Sequence, residues 1–261
     1  MGMISNTVIQ QCCFYFNKVI SLDTWKRIQW MNKKAPPHQA YNPAPIEHVA
    51  NVLTHGVWVV PSVLATLELL ERSHNGAQTL SALVYGATLV FLFSISTSFH
   101  CSFFCNQRGK LKDVLHRCDR AMIYVFIAGS YFPWLTLEPL PQEGWASSMN
   151  WFVWFLAILG IIYQQTFHEK YKSLETCFYL VMGIGPGLLI ISEHEFPGLS
   201  EVKIGGAVYV IGVMFFKSDG VVPCAHAIWH LFVAMAAGVH YFAIRNHLYP
   251  AIPYANSVQF S

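Results

Sequence analysis

Three histidines carry the most suggestive chemistry in this 261-residue chain. His226 and His230 are four residues apart, which places both imidazoles on one helix face, one turn apart. His100 lies far upstream, and a third imidazole beside that pair would complete the three-nitrogen set of a catalytic zinc site with its fourth position open. The spacing therefore predicts zinc bound by His100, His226 and His230. Hydrogen bonding of these histidines to neighbouring helices is the plainer alternative.

Two further residues would supply catalytic groups to such a site. Ser96 precedes His100 by one helical turn and would donate a hydrogen bond to a substrate oxygen. Asp119 would hold a water beside the metal and accept its proton. Ser96 is otherwise a small packing residue, and Asp119 is otherwise the ion-pair partner of Arg117 or Arg120. Both alternatives stay open at this point.

Other polar residues are expected outside the cluster. Glu47, Asn51 and His55 recur every four residues and favour a set of hydrogen bonds between helices. His168 is expected at the membrane boundary as an interfacial anchor. His240 is predicted on the opposite side of the membrane, too far away to join the cluster.

The composition indicates the class of protein in which these residues lie. Hydrophobic residues make up 54% of the chain and charged residues 11%, and the mean hydropathy is +0.39. A typical globular domain is roughly a quarter charged. So little charge cannot coat a water-soluble particle, which indicates a membrane protein in a lipid bilayer. The formal net charge of +2 gives no indication of a nucleic-acid partner.

Hydrophobic segments long enough to cross a bilayer predict an all-α membrane protein with seven transmembrane helices, because a span needs about 20 apolar residues. The N-terminal segment is too polar to span. Its apolar residues from Val8 to Ile20 recur at helical spacing, and basic residues, Trp25 and Trp30 follow them, which favours an amphipathic helix lying on the membrane. The predicted spans cover residues 49–70, 79–104, 119–137, 149–167, 174–192, 203–216 and 226–245.

The distribution of Lys and Arg predicts the orientation. Most of the 16 basic residues fall in the N-terminal segment and in the connections that share its side, which places that side in the cytosol. The predicted organisation is a cytosolic amphipathic segment over 1–45, a seven-helix domain over 46–247 and a non-cytosolic tail over 248–261. This topology brings His100, Asp119, His226 and His230 to one depth at the cytosolic ends of the helices.

Several motifs, in order along the chain, resemble the progestin and adipoQ receptor family, which is related to bacterial hemolysin III proteins. Within it, the chain is most similar to the group of monocyte-to-macrophage differentiation factors, through residues 215–220 and 225–234. The resemblance covers roughly residues 30–250. The family motifs are Asn51 to His55, Ser96 to His100, Asp119, Gly129 to Trp134, and His226 to His230.

The resemblance implies zinc held by His100, His226 and His230, with Asp119 contacting the metal through water and Ser96 nearby. Alkaline ceramidases in the wider superfamily imply hydrolysis of an amide-linked lipid.

The subgroup implies a receptor-like regulator of signalling in Golgi or late endosomal and lysosomal membranes, with protein partners at the cytosolic face and a lipid or small-molecule ligand. The plasma membrane is the alternative location, and a non-enzymatic scaffold is the alternative function. Where family members often have an aromatic residue and a glycine after the aspartate, this chain has Arg120-Ala-Met. Arg120 is therefore predicted to compete for the Asp119 carboxylate.

Overall fold

The structure, a computed structural model, describes residues 29–36, 39, 41–104, 110–138, 148–193 and 195–250, and the regular elements in these ranges are all α-helices. The predicted amphipathic helix near the N-terminus and the tail from residue 251 onward lie outside the described residues. The helices are α1 Pro45–Gly56, α2 Val59–Glu71, α3 Gly76–Phe104, α4 Lys110–Leu137, α5 Met149–Thr166, α6 Lys172–Glu193, α7 Leu199–Phe216 and α8 Ala225–Leu248.

Each predicted span corresponds to one helix, except that the first is divided into α1 and α2. The interruption at Val57 and Trp58 is slight, because both residues keep right-handed helical dihedrals. Five spans are long and apolar enough to cross a membrane: Pro45–Glu71, Gly76–Phe103, Lys172–Ile191, Leu199–Phe216 and Ala225–Leu248. The all-helical, multi-pass membrane class is confirmed. The count of seven spans and the cytosolic N-terminus stay predictions, as do the boundaries at 45 and 247.

Helices α4 and α5 are less apolar than these five spans, and their sequences show why. The first third of α4 is charged, up to Asp119 and Arg120, and α5 has Gln164 and Gln165 in its last turn. Gln164 and Arg120 are nevertheless buried among other helices rather than turned toward lipid. This is the arrangement expected of polar groups at membrane depth.

The main core lies between α2, α3, α4 and α8. Helix α8 packs against α1, α4 and α7 and fills its contact faces with buried alanines. Small side chains allow helix backbones to approach closely where no hydrophobic effect drives helices together. These alanines are Ala225, Ala227, Ala234, Ala236, Ala237 and Ala243.

Two glycines fix the position of α4 against its neighbours. A Cβ atom on Gly129 of α4 would lie 2.4 Å from Oγ1 of Thr88 in α3, and one on Gly160 of α5 would lie 2.3 Å from Cε1 of Tyr124 in α4. Both distances are too short for any real Cβ contact, so only glycine permits this helix spacing. The spacing holds α4, and with it Asp119, close to the histidines of α3 and α8.

Candidate metal centre

Three imidazoles from two helices converge at one end of the bundle. His100 comes from α3, and His226 and His230 come from the first two turns of α8. Each offers one ring nitrogen, and these nitrogens all lie within 4.8 Å of one another. The ring centroids are between 4.6 and 5.3 Å apart. The predicted grouping is therefore present in space, although the residues are far apart in sequence.

The three histidines fit a metal ion because His100 has no other bonding partner for its ring nitrogens in the part of the chain that the structure describes. Both ring nitrogens of His100 are buried and have no hydrogen-bond partner among the described residues. An unpaired buried polar group costs about 1–3 kcal/mol, and His100 is fully buried. A cation between the three imidazoles would be bound by one ring nitrogen of His100 and would give that nitrogen a partner. The histidines can therefore hold a metal ion, and neutral imidazole nitrogens are ligands that zinc prefers.

Helix α1 orients His230. The Oγ1 atom of Thr54 lies 3.1 Å from Nδ1 of His230, and the ring of His55 stacks on that of His230 with centroids 3.7 Å apart. Such a partner on one ring nitrogen fixes the tautomer and leaves the other nitrogen free to bind a metal. His55 in turn places its Nδ1 2.9 Å from Oγ of Ser96. The family motif on α1 therefore supports the cluster from outside.

The other two polar residues of α1 also bond to neighbouring segments. Glu47 accepts a hydrogen bond of 3.2 Å from the backbone N–H of His226, so its carboxylate lies at the N-terminal end of α8, where the helix dipole favours negative charge. Asn51 donates to the hydroxyl of Tyr41 at 2.6 Å, and the Tyr41 ring packs 4.8 Å from that of His226. Glu47 and His55 therefore make hydrogen bonds between helices, as the four-residue spacing favoured, whereas Asn51 bonds to the segment before α1.

Ser96 and Asp119 lie beside the cluster. Both line the same cavity as His226 and His230, and the Asp119 carboxylate is close enough to the Ser96 hydroxyl to interact with it. Ser96 is buried. The structure thus brings together all five residues singled out in the sequence.

Arg120 does not form an ion pair with the Asp119 carboxylate, although its charge still acts on that group. The Arg120 guanidinium forms a two-pronged pair with Glu175, at 3.0 and 2.6 Å, and also binds Glu169. Arg117 donates to the backbone carbonyl of Gln165 at 2.8 Å. No ion pair to Asp119 occurs within the described ranges. The reason is geometric, because successive residues on a helix do not face the same way.

A cavity of about 590 Å³ extends from the histidines into the bundle. This volume lies within the range of about 300–1,000 Å³ that is typical of ligand pockets. Helices α6 and α7 make few contacts with each other, and both contribute lining residues. Apart from the site at one end, the wall is mainly apolar. Lining residues from five helices include Leu92, Ile123, Phe126, Leu180, Val210 and Val233.

Comparison with known proteins identifies the family. Residues 45–241, from α1 to α8, match the family described as haemolysin-III related. The chain belongs to this family. It is 46% identical to the human monocyte to macrophage differentiation factor over 222 residues, which covers 85% of this chain and 92% of that protein. It is 30% identical to hemolysin-3 of Bacillus cereus over 213 residues, which covers 78% of this chain and 93% of the relative.

A homologue of hemolysin-3 from Bacillus subtilis (strain 168) is 32% identical over 207 residues, covering 76% of this chain and 92% of the relative. The resemblance to the progestin and adipoQ receptor family is thereby confirmed. The region matched by the haemolysin-III family contains every residue of the histidine cluster, together with Ser96 and Asp119.

A second polar cluster in this family member was missed in the sequence. The Nε2 atom of His168 lies 3.3 Å from Nδ1 of His116, whose Nε2 lies 3.5 Å from Glu169. His168, expected as an interfacial anchor, also bonds Gln164 at 2.9 Å. Burial lowers the pKa of His168, which follows the end of α5, to about 4.

Glu169 already has two cationic partners, which argues against a metal at the second cluster. Arg120 binds one carboxylate oxygen, and Lys172 lies 2.8 Å from the other. Burial would raise the pKa of Glu169, but Arg120 and Lys172 outweigh it and lower the pKa below its ordinary value. The sequence did contain one indication of this cluster: Arg120 lies inside a predicted span, and an arginine there must find acidic partners from other helices.

Proposed function

We propose that this haemolysin-III-related membrane protein binds zinc through His100, His226 and His230 and hydrolyses the amide bond of a ceramide-like lipid. One observation carries the proposal: three imidazoles meet Ser96 and Asp119 at the polar end of a mainly apolar cavity of about 590 Å³. An acyl chain is the ligand that such a wall fits, and the carbonyl at its head would then lie beside the histidines.

The residues divide the work of hydrolysis. Zinc, when bound, would supply Lewis-acid activation of the substrate carbonyl and of water. The Asp119 carboxylate would accept the proton that the attacking water loses and return it to the amide nitrogen as the C–N bond breaks. Water is thus added across that bond, and the products are a fatty acid and an amine. Ser96 would donate a hydrogen bond to the carbonyl oxygen as negative charge develops on it.

The biological setting we propose is a receptor-like regulation of signalling from Golgi or late endosomal and lysosomal membranes. The likeness to a protein named for monocyte to macrophage differentiation supports a signalling role. With a cytosolic N-terminus, the histidine end of the bundle faces the cytosol, where protein partners would bind. Lipid turnover at that end would couple the cavity to those partners.

One set of contacts favours a second candidate, a non-enzymatic scaffold. His230 stacks on His55 and lies 3.1 Å from Thr54, so the cluster also joins α1 to α8. A metal bound there would staple the helices without chemistry. In that case zinc would be present and no acyl amide would be hydrolysed.

Metal analysis and lipid turnover on the purified protein separate these candidates. We expect equimolar zinc in the wild type and in Asp119→Asn and Ser96→Ala, and loss of zinc in His226→Ala. The exposed His74 provides the matched control, because His74→Ala removes a histidine far from the cluster. Ceramide turnover should disappear in His226→Ala and fall about 10²–10⁴-fold in Asp119→Asn, since that range is typical of general base catalysis.

Two results would count against these assignments. A folded wild-type protein that contains no zinc after zinc supplementation would overturn the metal site. Equimolar zinc without turnover of ceramide or any other acyl amide would remove the hydrolase and leave the scaffold.

A further inference from the structure

The middle of the cavity contains polar groups that nothing in the described chain satisfies. The hydroxyl of Tyr209 in α7 is buried without a hydrogen-bond partner. Tyr209 lines the cavity, and so does His240 of α8. The ring of His240 stacks on that of Tyr209 with centroids 5.7 Å apart and an interplanar angle of 24°. Among described residues, His240 makes no hydrogen bond.

Such groups are expensive in a bilayer. An unpaired buried polar group is destabilising, and the hydrocarbon core supplies no water that could form the missing hydrogen bond. A plain hydrocarbon chain in the cavity would leave the cost in place. A ligand with an oxygen at this depth would remove it, because a hydroxyl both accepts and donates a hydrogen bond.

The fold makes room for the histidine at this position. A Cβ atom on Gly205 of α7 would lie 2.6 Å from Nε2 of His240. Any larger residue would therefore displace the imidazole. Glycine here lets α7 approach α8 while His240 keeps its place in the cavity wall.

The distance from the histidine cluster determines where the oxygen would lie along a chain. His240 follows His230 by ten residues on α8, which is about 15 Å at a rise of 1.5 Å per residue. Tyr209 precedes Phe216 by seven residues, about 10 Å, and the Phe216 ring lies 6.0 Å from that of His226. An extended chain advances about 1.2 Å per bond. The distance of about 10–15 Å from the histidine cluster to Tyr209 and His240 therefore corresponds to roughly 8–12 bonds of an extended chain.

We propose that the cavity selects an acyl chain that carries a hydroxyl or keto oxygen roughly 8–12 bonds from its amide carbonyl, bound by Tyr209 and His240. The Tyr209 hydroxyl donates to that oxygen, and a ligand hydroxyl donates to a ring nitrogen of His240. The inference rests on the proposed function in one respect, because it takes the carbonyl end of the chain to lie at the histidine cluster. It names the substrate class as mid-chain oxygenated acyl amides.

Binding of two matched lipids tests the proposal. N-(12-hydroxystearoyl)ethanolamine and N-stearoylethanolamine differ by one hydroxyl, and their affinities are measured in lipid nanodiscs in the Asp119→Asn background, so that turnover does not remove the ligand. We expect the hydroxylated lipid to bind about tenfold more tightly, which is about 1.4 kcal/mol. N-(3-hydroxystearoyl)ethanolamine, with its hydroxyl near the carbonyl, should show no such preference.

Variants assign the preference to its residues. Tyr209→Phe removes only the hydroxyl and should reduce the preference to less than threefold, and His240→Phe is a second, independent variant. Tyr124→Phe is the matched control, because its hydroxyl is also buried and unpaired but does not line the cavity. Tyr124→Phe should keep the tenfold preference.

The outcomes separate this inference from the proposed hydrolysis. Equal affinity for the plain and 12-hydroxylated lipids, or a preference that survives both Tyr209→Phe and His240→Phe, would overturn the inference even if the wild type hydrolyses amides. A preference that depends on Tyr209, combined with no turnover of either lipid by the wild type, would support the inference and reject the hydrolase.

Discussion

Replacing Arg120 by Met should destabilise the protein strongly while leaving its metal content unchanged. The side chain of Glu175 is 2% exposed, and in the variant its carboxylate would keep only the Tyr179 hydroxyl, which donates to it at 2.7 Å. Breaking a buried pair by removing one partner costs about 3–5 kcal/mol. Glu169 keeps Lys172 at 2.8 Å, so its share of the loss is smaller. We therefore expect a loss of about 3 kcal/mol in the free energy of unfolding.

The double variant Arg120→Met/Glu175→Met provides the decisive comparison. An apolar pair in place of a buried ion pair is often nearly neutral. We expect the double variant to be more stable than Arg120→Met alone by about 2 kcal/mol, which is within the range of coupling energies for residues in contact. Unfolding in mixed micelles, followed by circular dichroism, measures both values, and zinc is measured on the same samples.

Three results would refute this reasoning. A loss below about 1 kcal/mol in Arg120→Met would mean that the network is not buried as described, since that is the value of a surface pair. Loss of zinc from a folded Arg120→Met protein would mean that Arg120 serves Asp119 and the histidines after all. Equal stability of the single and double variants would remove the coupling between Arg120 and Glu175.

Two further predictions concern packing and pH. Gly160→Ala should lower the free energy of unfolding by about 1–3 kcal/mol, as overpacking does, because its new methyl group would lie 2.3 Å from the Tyr124 ring. Gly238→Ala is the control and should be neutral or slightly stabilising in the same unfolding assay, because nothing lies within 4 Å of its new methyl group. Acidification should destabilise the wild type between about pH 6.5 and 4, because burial lowers the pKa of His168 from 6.5 to about 4 and the unfolded chain therefore binds the proton first. The stability that neutral His168 contributes is complete above pH 6.5. The melting temperature of His168→Gln should therefore vary less with pH across this window than that of the wild type. An equal pH dependence in the two proteins would contradict the assignment of this effect to His168.

Much of the fold could be predicted because its signals are local. Composition excludes a soluble domain, and stretches of apolar residues indicate where most of the helices begin and end to within a few residues. Helix α4 is the exception, because it begins at Lys110 and its predicted span at residue 119. The four-residue spacing of His226 and His230 places them on one helix face without knowledge of the fold. Charge asymmetry predicts an orientation that brings His100 to the same depth. Each of these inferences depends only on a short window or a simple count.

Contacts between helices could not be predicted in the same way, because they depend on rotation about each helix axis. Asp119 and Arg120 are neighbours in sequence, yet one lines the cavity near Ser96 and the other pairs with Glu169 and Glu175. A single residue step turns a side chain by about 100°. The sequence shows that Arg120 needs a partner but not which carboxylate supplies it.

The amino-acid sequence by itself determines that this chain lies in a membrane, that it is helical, and that it has the imidazoles, carboxylate and hydroxyl that the proposed metal-dependent hydrolysis would need. Tertiary structure alone decides that these groups meet at one end of a cavity, and that the unpaired Tyr209 hydroxyl and the His240 ring stacked beside it line the same cavity. The physical reason is that hydrophobicity and helical period act within a segment. Convergence of side chains is set by small residues such as Gly129, Gly160 and Gly205, which fix how closely and at what rotation the helices pack.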